Sequence, residues 1–179
     1  MAEPLQEKAY PSIRVEPGIH EIRRLSLREL KHIPRIRPLR RLLGVWIQAK
    51  LRRGALPNEL PATAVCDCQM LHNIHVYDVS RPNLADAFVS VWGTHAVIYR
   101  GLSQAAQNLR PIPNEGYMNW VLAALFFVRC QGQPYLEHVV TERQPLELAY
   151  SRSRYRLLLP LSSDGQRVNR IITAWVFVP

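Results

Sequence analysis

The densest group of metal-ligating side chains is Cys66-Asp67-Cys68 followed by His72 and His75, a C-x-C-x₃-H-x₂-H run. Thiolate and imidazole are donors that zinc accepts. This spacing matches no common zinc motif, and two histidines three apart on a strand point to opposite faces. Buried cysteine ordinarily serves as a small hydrophobe, so neither a metal nor any other cofactor is expected. His95, beside Thr94, has no nucleophile and acid in order with it and reads as a polar loop residue. The chain contains no G-x-x-x-x-G-K-S/T, G-x-G-x-x-G or G-x-S-x-G. It reads as a non-enzyme.

Composition narrows the setting. The 179 residues, 47% hydrophobic and 21% charged, suit one domain with an extension. No apolar run approaches the ~20 residues of a membrane span, and no signal-peptide pattern opens the chain. Three cysteines, an odd count, argue against a disulfide framework. A soluble, cytoplasmic protein is expected. The net charge of +9 is concentrated: between Arg23 and Arg53 stand eleven Lys/Arg and a single acid, Glu29. Such a stripe is either a solvated helix face or a surface for a polyanion, an acidic partner or anionic lipid.

The elements that must position these residues are organised around the C-terminal end. Tyr155 to Leu161 and Val168 to Phe177 are apolar runs separated by Ser162-Ser163-Asp164-Gly165, a β-hairpin with Gly165 supplying the positive φ. In the second run Ile171, Thr173, Trp175 and Phe177 occupy one parity, and Ile172, Ala174 and Val176 the other. A strand apolar on both parities is covered on both sides. Upstream, residues 1–25 mix prolines with charges and read as an irregular lead. Ser26-Leu27-Arg28-Glu29 is a capping-box pattern that opens a short helix to Ile33. A second helix spans Pro38 to Arg53, with Gly54 as its left-handed cap and Leu39, Leu42, Leu43, Trp46, Ile47 and Leu51 as its apolar stripe. Residues 26–61 thus form a basic helical extension and linker. Within 62–179, strands are expected over Met70–Val79, Ala87–Val97 and Tyr135–Glu142, short helical turns over 96–113, and a longer helix over Asn114–Cys130. The fold class is α+β around an antiparallel sheet.

Three pieces carry a resemblance. Leu43-Gly44-Val45-Trp46 through Gly54-Ala55-Leu56-Pro57 is one. Val91-Trp92-Gly93-Thr94 with Tyr99-Arg100-Gly101 is the second, and Leu157-Leu158-Leu159-Pro160-Leu161-Ser162-Ser163-Asp164-Gly165 the third. Over about residues 39 to 177 the chain resembles the PAS-domain family, in particular a PAS-type group of mostly single-domain proteobacterial proteins of undefined biochemical role. It departs from that group in having Ala106 where a glycine is usual, and Asn58-Glu59-Leu60-Pro61 in place of an acidic or D-P pattern.

The resemblance implies a five-stranded sheet with helices on one face, and a sensory or interaction module with a ligand cavity between the sheet and those helices. Trp92, Tyr99, Tyr117, Trp120, Tyr155, Leu157 and Thr173 are the residues expected to line it. The N-terminal helices would pack on the other face or in a dimer interface, through Leu39, Leu43, Trp46 and Ile47. Arg129-Cys130-Gln131 is not the N-C-R-F-L-Q run of flavin-reactive members, and no His lies between Asn114 and Cys130 to serve as a heme ligand. The expected partners are a small molecule in the cavity, a second copy of the chain and a separate regulatory protein. The alternative is a nucleic-acid or anionic-surface binder using Arg23 to Arg53. Its basic segment contains one aromatic, Trp46, and that residue falls on the apolar stripe, so base stacking is not provided for.

Overall fold

A computed structural model describes residues 19–67, 73–92, 115–141 and 153–178. In chain order the elements are β1 (Ile19–Leu25), the 3₁₀ turns η1 (Glu29–Lys31) and η2 (Pro34–Ile36), α1 (Arg37–Arg53) and α2 (Ala62–Asp67). Then come β2 (Ile74–Asp78), a third 3₁₀ turn η3 (Leu84–Asp86), β3 (Phe88–Trp92), α3 (Glu115–Gln131), β4 (Tyr135–Thr141), β5 (Ser153–Leu161) and β6 (Arg170–Val178). The strands form one antiparallel sheet in the order β1-β4-β5-β6-β2-β3. No helix among the described residues is long and apolar enough to cross a membrane.

Among the described residues the sheet has six strands rather than five. The extra one, β1, lies in the segment read as an irregular lead and pairs along β4. Its apolar residues, Ile19, Ile22 and Leu25, are three apart, so no period of two announces a strand. A register shift between Ile19 and Glu21 accounts for part of that: a bulge inserts one residue and resets the alternation. The core continues through this segment, from Leu25, Leu30 and Ile36 to Leu39 and on to Ala174.

Both faces of the central strands are dry, as the two apolar parities of β6 require. Trp120 on α3 reaches Glu137 and Arg156, which places α3 on the face carrying those two side chains. The opposite face bears Leu136, Leu157, Leu159, Ile172 and Ala174, all buried. The other helical elements packed on β5 and β6 are η2 and α1, and α1 buries Leu39, Leu42, Leu43 and Trp46. Gly54 ends α1 at φ 66°, its N–H donating to the Lys50 carbonyl at 2.9 Å.

The expected capping box at Ser26 forms in half. Ser26 N–H donates to Glu29 Oε2 at 2.6 Å, but the Ser26 hydroxyl accepts from Arg28 N–H at 3.2 Å, and Glu29 N–H goes to the Ser26 carbonyl. The result is a single 3₁₀ turn, followed by a second one where Pro34 interrupts the chain.

Two ties lock the hairpin to α1. Trp46 Nε1–H donates to the Pro160 carbonyl at 2.8 Å. Arg53 donates to the carbonyls of Ser162 and Ser163, at 2.8 and 3.0 Å. Within the loop, Asp164 Oδ1 accepts from the Ser162 hydroxyl and from the N–H groups of Gln166 and Arg167. These donors, Arg167 N–H first, pull its carboxyl down to about 2. Gly165 follows at φ 82°, and a Cβ there would come within 3.0 Å of Ala55 Cβ.

Trp46→Ala should cost about 3–5 kcal/mol in urea unfolding. Trp46→Phe, which keeps the ring but strands the Pro160 carbonyl, should cost about 1–3 kcal/mol. Unchanged midpoints in both variants would remove α1 from its role as a cover. The Asp164 carboxyl titrates lower in the folded chain than in the unfolded one. Its contribution is therefore complete above the ordinary carboxylate range and is lost as the pH falls from about 4 toward 2. Stability measured across that window should fall less steeply in Asp164→Asn than in the parent.

Candidate functional site

Strand β4 carries Tyr135, Glu137 and Val139 on the α3 side and Leu136, His138 and Val140 on the other, by the two-residue alternation of a strand. Glu137 lies in register with Arg156 on β5, and Arg156 with Trp175 on β6. One row of the sheet therefore presents a carboxylate, a guanidinium and an indole beneath α3. In the next row Tyr135 is opposite Leu158, Leu158 opposite Thr173, and Thr173 opposite His75 on β2.

The charges in this floor are withdrawn from water. Glu137 is 0% exposed and Arg156 2%, and Glu137 Oε1 is ion-paired with Arg156 Nε. Trp120 Nε1–H donates to Glu137 Oε2 at 3.1 Å. The Arg156 guanidinium lies 3.8 Å from the centre of the Trp120 ring, and that of Arg154 lies 5.5 Å from it. Burial, then the Glu137 charge, pushes the Tyr135 phenol up to about 12, with Arg156 and Arg24 pulling the other way. The His75 ring sits 4.3 Å from Trp175 and 6.2 Å from Tyr77, edge-on to both.

Two donors in the floor have no hydrogen-bond partner among the described residues: Arg156 Nη2 and Thr173 Oγ1. Such groups are uncommon in a protein interior and call for an explanation. The Glu137 carboxylate is already engaged on both oxygens, so it is not poised as a base. The floor offers ring faces and hydrogen-bond donors, a chemistry of recognition.

The residues expected to line a cavity are divided by the sheet. Trp120 and Thr173 both lie on the α3 side. Tyr155 and Leu157 have the parity opposite to Arg156 and point to the other face, where Tyr155 stacks on His138 with centroids 4.5 Å apart. Trp92 ends β3 opposite His75, and Tyr117 lies in the first turns of α3; their side chains, and the whole of Tyr99, lie outside the described residues. Sequence reading passed over Glu137, Arg156, His75 and Trp175 as floor residues. Only the register, which brings Glu137 opposite Arg156, singles them out.

Of the residues expected at an interface, Leu39, Leu43 and Trp46 are buried within the single chain, and Ile47 is exposed. Cys66 is exposed on α2 and Cys130 near the end of α3, whereas His75 is buried under Trp175. Cys68, His72 and His95 lie outside the described residues, among which no three ligating side chains converge on a metal position. On the α1 side of the sheet, His138 Nε2 contacts Ser153 Oγ. Burial lowers the His138 pKa, opposed by Glu21 and assisted by Arg23.

The chain matches no family model, no curated protein and no solved structure.

Truncating one member of the buried pair leaves the other charge stranded, so Arg156→Met should cost about 3–5 kcal/mol. The double variant Glu137→Leu/Arg156→Met should recover most of that loss. Additive losses in the double-mutant cycle would mean the two groups do not act as a pair.

Proposed function

We propose that the chain is a non-catalytic, PAS-type module that senses a small ligand and passes the signal through its N-terminal helices to a partner protein. Its topology supports the reading. Two strands, a long helix and three strands follow in chain order, and the strand order places β6 between β5 and β2. That is the arrangement expected of a PAS sheet, with β1 added at one edge. The observation that carries the proposal is the α3-facing floor, where the unspent donors of Arg156 and Thr173 lie among Trp120, Trp175 and His75. Sites for small molecules combine mostly apolar and aromatic walls with a few convergent polar groups. The ligand that fits is flat and carries a hydrogen-bond acceptor.

The route outward is short. Strands β5 and β6 have α3 on one face and α1 on the other, so a shift of these strands by a ligand under α3 changes the surface on which α1 rests. A ligand can bias α1 only through different contacts in the two arrangements.

Native mass spectrometry of freshly purified protein should show a small molecule that leaves on denaturation. Removing the Thr173 hydroxyl tests the site specifically. Thr173→Val discards a buried donor without a partner, so the ligand-free protein should be as stable as the parent or more so, while ligand retention falls. Amide exchange across Arg37–Arg53 should differ between ligand-bound and ligand-free protein. Bare chain mass under native conditions, together with no melting shift across a panel of aromatic acids and amides, would overturn the reading.

A further inference from the structure

We infer that the outward face of α1 is a docking surface for an acidic, amphipathic helix of another protein. The inference rests on α1 itself and goes beyond the small-ligand reading.

Helix α1 has already spent its main apolar stripe on the sheet, yet Ile47 is 41% exposed and Leu51 70%. With Gly44 they share an outward stripe at three- and four-residue spacing. Glycine disfavours a helix interior, and Gly44 has no packing reason to be there within the chain: a Cβ built on it would meet nothing within 4 Å. Its missing side chain leaves a notch beside Ile47 that opens outward. A second helix can approach closely at such a point.

The charge around the notch is equally one-sided. Arg37, Arg40 and Arg41 lie exposed in the first turns and Arg52 at the far end, and the helix contains no acid. The first turn of a helix is its positive end, where acidic residues are the stabilising choice. The arginines there oppose the local electrostatics of the fold. Inside the chain, Arg53 is engaged by the hairpin loop and Arg40 by the Lys31 carbonyl. The remaining cationic surface faces out.

These features select one occupant. Nucleic acid would use the arginines, but Ile47 and Leu51 offer nothing to phosphate, and the helix's aromatic ring, Trp46, is turned inward. A membrane surface needs a broad apolar face, and that face of α1 is covered by the sheet. A second copy of the chain brings the same charge, +9 overall. A helix with carboxylates flanking a narrow apolar stripe satisfies the arginines and covers Ile47 and Leu51 together.

Fluorescence anisotropy with a labelled helical peptide bearing Leu at i and i+4, flanked by Glu, tests this on the full chain. A control peptide has the same charge with Ser replacing Leu, and a DNA duplex and phosphatidylserine vesicles are measured alongside. The Leu/Glu peptide should bind about tenfold or more tightly than its Ser control. Ile47→Ser and Leu51→Ser should each weaken it, and Arg37→Glu/Arg41→Glu should abolish it. Gly44→Leu should fill the notch and block docking while melting at the parent temperature or above, because the helix gains a better former. Equal binding of both peptides, or tighter binding to DNA or vesicles unaffected by Ile47→Ser, would overturn the inference in favour of a general polyanion surface. Concentration-dependent dimers abolished by Gly44→Leu would overturn it in favour of a second copy.

Discussion

Strands β5 and β6 are covered above and below, and this two-sided burial recruits the other elements described. Leu157, Leu158, Leu159, Ile171, Ile172 and Ala174 all leave water, so neither face can be left to solvent. Apolar area withdrawn from water stabilises by about 25 cal/mol per Å², and what each face of these strands buries depends on its own cover. That dependence explains why α1, unremarkable as an isolated helix, is held by a ring, a hydrogen bond and a loop-clasping arginine. It also means that two helices far apart in the sequence, α1 and α3, lean on the same two strands.

Within this dry layer the Glu137–Arg156 pair sets a second constraint. Moving two charges out of water is costly, and their attraction recovers the cost only when the remaining donors and acceptors are also met. The carboxylate meets that condition, with Arg156 on one oxygen and Trp120 on the other. The guanidinium is supported by the Trp120 face yet leaves Nη2 unspent. An apolar pair of similar volume would make an easier sheet. The pair joins β4 to β5 in register and ties α3 to the sheet through one indole, and it leaves a directional donor where the proposed ligand would lie.

What the sequence disclosed depended on whether the information was local. The doubly apolar parity of β6, the Gly54 stop of α1 and the span of α3 are written in spacing and appear as expected, whereas the α1 stripe is buried only at Leu39, Leu42, Leu43 and Trp46 and leaves Ile47 and Leu51 exposed. Strand β1 shows no alternation because its bulge lies between Ile19 and Glu21 and because Ile22 and Leu25, opposite Val139 and Leu136, fall on different faces of the sheet. The capping box at Ser26 was legible as a pattern, but its geometry follows Pro34, which cuts the turn short. Of the residues expected to line a cavity, Trp120 and Thr173 lie on the α3 side and Tyr155 and Leu157 on the other. A strand apolar on both parities does not reveal which parity faces which helix. Nothing in local spacing singles out Arg156. Its true setting depends on pairing with a residue 19 positions earlier, and pairing register is not local.

The bond between Trp46 and Pro160 also bears on the open side of β5. Strand β4 pairs with β5 only up to Leu158, so the last residues of β5 present a short open flank. Residues in a ladder offer N–H and C=O to the same side; at Pro160 the N–H does not exist and the carbonyl is already taken by the indole. A stray strand arriving there finds neither donor nor acceptor, the kind of blunting that keeps sheet edges from templating aggregation. Helix α1 is thus also a guard, and its detachment would uncover an adhesive flank.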